Sequence, residues 1–322
     1  MKIFVTGAAG FIGFSLTKSL LKKNHQVYSI DNMDNYYSLK LKTARIQILK
    51  KDKNFHFKRV DLANKKKLEK YLKNKEFDII FHFAAQAGVR YSKERPDKYI
   101  KSNLIGFSNL LSSLKNKNFK IMFYSSSSSV YGDSKIFPLR ENAILKPKNL
   151  YAKTKIKYEK EANKFAKTFG KKLIGLRFFT VYGKYGRPDM FIFKFLNALL
   201  NKKKFYLYNK GNHHRDYTHI DDVVNIVFSL IKKKIFDRFQ IFNICSNNPV
   251  DINKLVKFIS KYLNIKPNII KKKRNKIEVL KTHGDNKKIL KFLKIKLKKN
   301  IFLELPGIIH WYKKNKIWKF CN

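Results

Sequence analysis

The chain opens with Lys2-Ile3-Phe4-Val5-Thr6-Gly7-Ala8-Ala9-Gly10-Phe11-Ile12-Gly13, and this stretch decides its fold. Its first five residues predict a buried strand, and its glycines predict a tight turn into an apolar-periodic helix. A second strand, Val27–Ile30, ends at Asp31, 18 residues after Gly13. This order of strand, glycine turn, helix, strand and acid is typical of a dinucleotide-binding unit.

The glycine turn and Asp31 also indicate which dinucleotide is bound. Glycines let the backbone approach a pyrophosphate, which rests on the N-terminus of the following helix. Asp31 is placed to bind the adenosine ribose hydroxyls, and its charge would repel a 2′-phosphate. No arginine follows it in Asn32-Met33-Asp34. We therefore expect NAD rather than NADP.

Strands and helices alternate further along the chain. We predict strands over residues 55–60, 77–83, 119–124 and 173–178, and a helix over Tyr151–Phe169 that is capped by Asn149 and ended by Gly170. This alternation predicts an α/β fold with a doubly wound parallel (Rossmann) sheet. Ligands bind at the carboxyl edge of such sheets, so the chemistry is expected in one cleft.

Two segments carry groups suited to proton transfer. A strand over 121–124 runs into Ser125–Ser129, and Tyr151 and Lys155 are four residues apart, on one face of the predicted helix. A phenol with a pKa near ~10 is a poor base at neutral pH, and a nearby ammonium lowers that pKa. A serine run alone is more often a linker, but this one is joined to an apolar strand. Together these residues suit proton transfer from an alcohol.

The pattern changes from about Thr180. We predict a Rossmann domain over 1–179, which also receives part of 216–245, and a smaller C-terminal α/β substrate domain over 180–322. The later part is predicted to contain a strand at 239–244 and helices at 252–263 and near 305–314. Histidines and acids cluster at 213–222, but their spacing fits no common zinc pattern, so no metal is expected. Asp221 or Asp222 is expected to cap the next helix or face its dipole.

Length and composition limit the class of protein. The 322 residues include 44% hydrophobic and 15% aromatic residues, enough for one large or two medium globular domains. No apolar run is long enough for a transmembrane helix, and the N-terminus lacks the features of a signal peptide. Cys245 and Cys321 are the only cysteines, which excludes a disulfide framework. We expect a cytoplasmic protein that does not bind membranes.

The net charge of +50 raises the possibility of nucleic-acid binding. The lysines are spread over the whole chain, however, and arginine is scarce beside them. Lysine, asparagine, isoleucine and phenylalanine are all plentiful, and their codons are rich in A and T. Compositional drift is therefore the preferred interpretation of the charge. The lysine runs lie at 65–67, 202–204, 232–234 and 271–273.

The motifs resemble those of the extended short-chain dehydrogenase/reductases. Gly7-x-x-Gly10-x-x-Gly13, Asp31, Asp61-Leu62 and Tyr151-x-x-x-Lys155 carry that resemblance. More narrowly, further stretches are similar to the UDP-glucuronate 4-epimerases. These stretches are 31–37, 84–92, 176–183, Gly186-Arg187-Pro188-Asp189-Met190 and Arg215-Asp216-Tyr217-Thr218.

The resemblance implies an NAD that stays bound and is reduced and reoxidised in each turnover. Tyr151 would take the proton of the sugar's 4-hydroxyl while a hydride passes from C4 to the nicotinamide. Lys155 would depress the tyrosine pKa and bind the nicotinamide ribose, and Ser127 would hydrogen-bond the reacting oxygen. The cofactor residues implied are Gly7, Gly10, Phe11, Ile12, Gly13, Asp31, Asn32, Asp61, Leu62, Ala84, Ala85, Asn103, Tyr151, Lys155 and Phe178.

The resemblance also implies how a uronic acid is held. With a ketone at C4, the carboxylate on C5 belongs to a β-keto acid, which loses carbon dioxide readily. Ser128, Ser129, Thr180 and Arg187 match the positions that would hold this carboxylate, and Arg215 matches the position that grips the diphosphate. Neutral-sugar epimerases have asparagine at the position of Thr180, and dehydratases have Asp-Glu at Ser128-Ser129. The other implied substrate residues are Arg90, Met190 and Tyr217.

The resemblance leaves alternatives open. The family's Pro-Gly-Asp-Val motif appears here as Lys276-Ile277-Glu278-Val279, so nucleotide contacts over 270–290 are not assigned. The leading hypothesis is 4-epimerisation of UDP-glucuronate to UDP-galacturonate, for surface polysaccharide, by a homodimer formed through 103–114 and 151–169. The alternatives are an epimerase of neutral UDP-sugars, a UDP-glucuronate decarboxylase, and a basic nucleic-acid-binding protein on an inactive dehydrogenase fold.

Overall fold

A parallel seven-stranded sheet forms the centre of the protein. The computed structural model describes residues 1–235, 237–275 and 277–315. The strand order is β10-β6-β5-β4-β1-β2-β3, so the direction of winding reverses between β1 and β4. This switch point is where ligands bind in doubly wound sheets. The strands are β1 Lys2–Thr6, β2 Gln26–Asp31, β3 Phe55–Arg59, β4 Ile79–His82, β5 Ile121–Ser127, β6 Leu173–Phe178 and β10 Phe239–Ile244.

Helices cover both faces of this sheet, as the alternating pattern predicted. One face buries Phe81 and Phe123 against helices that include Phe11–Leu21 and Ile220–Lys232, and the other buries Phe4 and Met122 against helices that include Gly106–Leu114 and Leu150–Phe169. The α-helices before β6 are α1 Phe11–Leu21, α2 Leu39–Leu49, α3 Lys65–Leu72, α4 Tyr91–Glu94, α5 Pro96–Tyr99, α6 Gly106–Leu114 and α7 Leu150–Phe169. A π-helical segment, Ile100–Ile105, joins α5 to α6.

Two smaller sheets and five further helices follow Phe178 within the described ranges. Strands β7 Thr180–Tyr182, β9 His214–His219 and β11 Pro249–Asp251 form one sheet, and β8 Phe205–Tyr208 pairs with β12 Ile269–Lys272. Helices α8, α10 and α12 bury Leu196, Leu255 and Leu305 in a separate apolar core. The helices are α8 Phe191–Leu200, α9 Ile220–Lys232, α10 Ile252–Leu263, α11 Lys287–Leu293 and α12 Ile301–Asn315.

The chain returns once from this second group of elements to the large sheet. Strand β10 lies parallel to β6, with Phe239 beside Leu173 and Ile244 beside Phe178. Helix α9, which precedes β10, contributes Val223 and Ile226 to the core on one face of the sheet. No helix in the described part of the chain is long and apolar enough to cross a membrane.

Several boundaries differ from the predicted ones for local reasons. Strand β5 continues to Ser127 because Ser125–Ser127 pair with Leu176–Phe178 of β6. A short strand, β7, lies at Thr180, where the pattern changes, and the lysine-rich stretch after α10 contains β12 and α11. Cys321 and Lys276 lie outside the described residues.

Candidate active site

A cavity of about 910 Å³ opens at the carboxyl ends of β1, β4, β5 and β6. It brings together every site residue that the sequence predicted except Asn103. The predicted residues that line it are Gly7, Gly10, Phe11, Ile12, Gly13, Asp31, Asn32, Asp61, Leu62, Ala84, Ala85, Arg90, Ser127, Ser128, Ser129, Tyr151, Lys155, Phe178, Thr180, Arg187, Met190, Arg215 and Tyr217.

The glycine turn fits a dinucleotide. Gly7 has φ +85°, and a Cβ added there would lie 2.6 Å from the backbone nitrogen of Ala84. No larger residue fits, so β1 and β4 can approach each other at the switch point. Helix α1 begins after Gly10, which provides no side-chain cap. The first amides of α1 are therefore available to an anion such as a pyrophosphate.

Asp31 stabilises the same turn. One oxygen of its carboxylate accepts a hydrogen bond from the Ala9 amide (3.1 Å), and the other accepts one from the Met33 amide (2.8 Å). The carboxylate still lines the cavity. Its negative charge at this position suits ribose hydroxyls rather than a phosphate, as the sequence predicted.

Asn103 lies behind the cavity wall. It is fully buried, and its side-chain oxygen accepts a hydrogen bond from the Gln86 amide (2.7 Å). Its side-chain nitrogen donates to Gln86 O (3.1 Å) and to Thr154 Oγ1 (3.1 Å). In this structure Asn103 therefore supports the wall residue Gln86 and the helix that carries Lys155, instead of facing the cavity itself.

Tyr151 is held in the first turn of α7. Asn149 caps that helix by accepting a hydrogen bond from the Ala152 amide (2.9 Å), and Gly170 ends it in the left-handed conformation. The Tyr151 ring packs edge-on against Tyr99, with centroids 6.2 Å apart. The phenol consequently enters the cavity from a fixed backbone position.

The electrostatics of Tyr151 differ from the expectation. Burial raises the pKa of Tyr151, and the Ser127 hydroxyl and the charge of Arg187 act in the opposite direction. Lys155 was expected to depress this pKa, but its ammonium donates to Ser125 O (2.8 Å) and lies 5.9 Å from the Tyr151 ring centroid. Within this arrangement Ser127 and Arg187 are the groups that favour the phenolate.

Lys155 itself is fully buried. Desolvation lowers the pKa of Lys155 to about 7, and the nearby Glu159 carboxylate raises it. Its ammonium also lies 4.1 Å from the centroid of the Tyr158 ring. A lysine with a pKa in this range changes charge near neutral pH.

Arg187 has a partner that the sequence reading did not assign. Its Nε and one terminal nitrogen donate to Asp189 Oδ1 (2.9 Å) and Oδ2 (2.5 Å). The Tyr36 hydroxyl donates to the same Oδ2 (2.9 Å). Ser128, Ser129, Thr180 and Met190 share the cavity with this cluster. This part of the cavity thus combines short hydroxyl groups with the guanidinium of Arg187.

Two further arginines, Arg90 and Arg215, and the strand β8 also line the cavity. Arg90 pairs with Glu278 (2.5 Å) and lies 4.1 Å from the Tyr208 ring centroid. Arg215 donates to His214 O and Leu280 O, both at 3.0 Å. Sequence reasoning missed Glu278 and Tyr208. The apolar run at 205–208 before the turn at 209–211 was the available signal for a strand here.

The histidine cluster at 213–222 does not converge on one point. The His219 ring accepts a hydrogen bond from the Asp221 amide (3.2 Å), so His219 caps α9, while Asp221 and Asp222 lie in its first turn, where they face the helix dipole as expected. Asp222 instead accepts from the Lys299 amide (3.2 Å). Among the residues that the structure describes, no group of three or more histidine, cysteine, aspartate or glutamate side chains is arranged to hold a metal ion.

The chain is similar to proteins of one family. The profile described as NAD dependent epimerase/dehydratase family matches residues 3–245. An uncharacterised protein of Methanocaldococcus jannaschii is 43% identical, covering 98% of this chain and 97% of that protein. UDP-glucuronate 4-epimerase 4 of Arabidopsis thaliana is 35% identical, covering 96% of this chain and 75% of that protein.

The comparison with solved structures agrees with the comparison of sequences. The UDP-glucuronic acid 4-epimerase of Bacillus cereus, in complex with UDP-glucuronic acid and NAD, superimposes with a TM-score of 0.92 at 29% identity. That alignment covers 98% of this chain and 99% of the other. The similarity therefore extends over both groups of elements, including those that follow Thr180.

Proposed function

The chain belongs to the NAD-dependent epimerase/dehydratase family, and we propose that it interconverts UDP-glucuronate and UDP-galacturonate through a 4-keto sugar. The observation that carries the proposal is one cavity in which Tyr151, Lys155 and Ser127 lie beside Arg187 and short hydroxyl side chains. The similarity to UDP-glucuronate 4-epimerases supports it.

When bound, NAD would supply the oxidant and reductant for C4 of the sugar. We assign the pyrophosphate to the amides after Gly10 and the adenosine ribose to Asp31, since both groups line the cavity at the switch point. The remaining chemistry is proton transfer and positioning, which belong to the side chains.

Tyr151 is the proposed acid and base. Its phenolate takes the proton of the 4-hydroxyl as the ketone forms, and its phenol returns that proton when the alcohol is re-formed. Ser127, at the end of β5, would hydrogen-bond the same oxygen. Ser127 and Arg187 favour the phenolate, and Lys155, one turn after Tyr151 in α7, is assigned to the nicotinamide ribose.

The carboxylate requires separate control. A β-keto acid loses carbon dioxide when the breaking bond aligns with the π-system of the ketone. Hydrogen bonds from Ser128, Ser129 and Thr180 and a charge-assisted pair with Arg187 would hold the carboxylate away from that alignment. This control favours epimerisation over decarboxylation.

Epimerisation also needs the 4-keto sugar to present its other face. The UDP portion can stay fixed while the sugar rotates about the diphosphate linkage. We assign Arg90, Arg215 and Tyr217, which line the cavity, to the UDP portion, because two guanidinium groups suit a diphosphate. Met190 is assigned to the sugar portion.

Three wider proposals accompany this function. Residues 1–179, with β10 and α9, would form the NAD-binding domain, and the rest of 180–322 would bind the UDP-sugar.

Ile100 and Ile105 are 46% and 48% exposed beside α6, which suits a homodimer formed through α6 and α7. The product is an activated sugar, so a glycosyl transfer to a surface polysaccharide would consume it.

The proposal is tested by incubating the purified protein with UDP-glucuronate, with and without added NAD, and resolving the products by proton NMR. We expect the galacto epimer. A pentose product would reassign the protein as a decarboxylase, and conversion of UDP-glucose alone would reassign it to neutral sugars. No conversion of any UDP-sugar, together with salt-sensitive binding to duplex DNA, would favour the nucleic-acid alternative.

A further inference from the structure

Arg187, Pro188 and Asp189 form a two-pronged ion pair within three residues. Arg187 Nε donates to Asp189 Oδ1 (2.9 Å), and a terminal guanidinium nitrogen donates to Oδ2 (2.5 Å). The side chains are 21% and 20% exposed. A guanidinium has five N–H donors, so this pair leaves its other edge for a second acceptor.

The same sequence occurs a second time at Arg95-Pro96-Asp97. Arg95 Nε donates to Asp97 Oδ1 (3.0 Å), and its terminal nitrogen donates to Oδ2 (2.7 Å). This pair is 51% and 61% exposed and does not line the cavity. The Arg-Pro-Asp sequence therefore forms this ion pair by its local geometry. Any role in the cavity must come from the residues that surround the pair at 187–189.

A second side chain, Tyr36, holds Asp189 in place. The Tyr36 hydroxyl donates to Asp189 Oδ2 (2.9 Å), and Tyr36 follows Asp31 by five residues. Space for this hydroxyl exists because residue 88 is glycine: a Cβ there would lie 2.3 Å from the Tyr36 oxygen. The Arg187 guanidinium lies 5.7 Å from the Tyr36 ring centroid. Tyr36 thus contacts both members of the pair.

We propose that Asp189 and Tyr36 are positioning residues that aim the free edge of Arg187 at the C5 carboxylate of the substrate. This deepens the proposed function and rests on it. Without that aim, the 4-keto sugar can adopt a conformation in which the C5–carboxylate bond aligns with the π-system of the ketone. The C5–carboxylate bond then breaks, its electron pair forms the enolate, carbon dioxide leaves, and C5 takes up a proton. Asp189 and Tyr36 therefore decide between epimer and pentose.

The test compares three variants of the NAD-loaded protein with the wild type: Asp189→Asn, Tyr36→Phe and, as the matched control, Asp97→Asn. The share of pentose among the products of UDP-glucuronate is measured by proton NMR, together with kcat and KM. We expect Asp189→Asn to lower kcat for epimerisation about tenfold or more and to raise the pentose share. Tyr36→Phe shifts both in the same direction by less, and Asp97→Asn shifts neither.

The product ratio separates positioning from folding. A purely structural role lowers the yields of epimer and pentose together and leaves their ratio unchanged. KM changes little, because the guanidinium remains and one competing carboxylate is gone. An unchanged ratio in both Asp189→Asn and Tyr36→Phe, in a protein whose wild type epimerises, overturns this inference alone. A wild type that leaves UDP-glucuronate unconverted overturns the proposed function and this inference with it.

Discussion

Glu159 and Arg177 form a buried two-pronged ion pair beneath the candidate site. Arg177 donates from Nε to Glu159 Oε1 (2.8 Å) and from a terminal nitrogen to Oε2 (2.7 Å), and the side chains are 3% and 7% exposed. The Ser126 hydroxyl donates to the same Oε1 (2.6 Å). The pair therefore joins α7, which carries Tyr151, to the strands β5 and β6.

Glu159→Gln should destabilise the protein strongly. The substitution leaves the Arg177 guanidinium buried without its counter-charge, and breaking a buried pair in this way costs about 3–5 kcal/mol. Denaturant titration should show that loss in the free energy of unfolding. The exposed pair of Lys65 and Glu69, 3.8 Å apart, supplies the control, and Glu69→Gln should cost under about 1 kcal/mol. Equal losses in the two variants would refute the importance of burial.

Asn149→Ala should reduce both stability and turnover. The Asn149 side chain caps α7 directly before Leu150 and Tyr151. Losing such a cap costs about 1 kcal/mol and frays the first turn, where the phenol is held. Steady-state kinetics and thermal unfolding measure the two effects.

Helix α3 offers a matched control for that variant. Asn64 caps α3 by accepting from the Lys67 amide (3.0 Å), and neither residue lines the cavity. Asn64→Ala should lose a similar amount of stability and keep full activity. If both variants retained activity, fraying at Tyr151 would not matter for catalysis.

Helix α7 shows which features can be predicted from local sequence. The Asn149 cap and the Gly170 stop were readable because both act within one turn of the helix. The glycine turn with Asp31 was readable for the same reason. The pairing of β8 with β12 was not, since Phe205 lies beside Ile269 although 63 residues separate them along the chain. A short apolar run does not specify so distant a partner.

Within the site, residue types were easier to predict than their partners. The pattern identified Arg187 and Tyr151, but the partners Asp189 and Tyr36 depend on how two loops meet. The direction of the Tyr151 pKa shift was not readable, because burial, which raises the pKa, depends on packing and not on spacing. Asn103 was assigned to the cavity although tertiary structure places it behind the wall.

Tyr151→Phe should abolish turnover and leave NAD binding intact. The phenylalanine ring can still pack against Tyr99, but it has no proton to exchange with the sugar. The absorbance of NAD released on denaturation measures cofactor content, and NMR measures turnover. Appreciable epimerisation by this variant would contradict the role assigned to the phenol. Tyr71→Phe, remote from the cavity, should retain activity.

Lys155 should make stability depend on pH above neutrality. Burial lowers its pKa to about 7, whereas an unfolded lysine titrates near ~10.4. Between these values the unfolded chain binds more protons, so the free energy of unfolding rises with pH by up to about 1.4 kcal/mol per unit. Lys155→Met lacks this contribution. The difference between wild type and variant, measured from pH ~7 to ~10 at equal NAD content, should therefore change steadily. Parallel curves would show that Lys155 keeps an ordinary pKa.

Arg45 connects the glycine turn to the loop that carries Arg187. It is fully buried, and one terminal nitrogen donates to Ala9 O (2.7 Å) and to the Tyr37 hydroxyl (2.8 Å). The other donates to Tyr185 O (2.6 Å) and Gly186 O (3.3 Å). All four acceptors are neutral, so Arg45 holds two loops together instead of neutralising an acid.

Arg45→Met should therefore weaken both binding functions at once. Methionine keeps the apolar stem but leaves buried carbonyls without donors, at a cost of about 1–3 kcal/mol for each unsatisfied group. We expect lower NAD retention on gel filtration and a higher KM for UDP-glucuronate, because the turn at Ala9 and the loop at Gly186 lose a common support. The exposed Arg238, changed to Met, should alter neither quantity. Coupling between the two loops predicts that NAD retention and the KM for UDP-glucuronate change together. A variant that unfolds more easily but keeps both unchanged would limit Arg45 to a structural role.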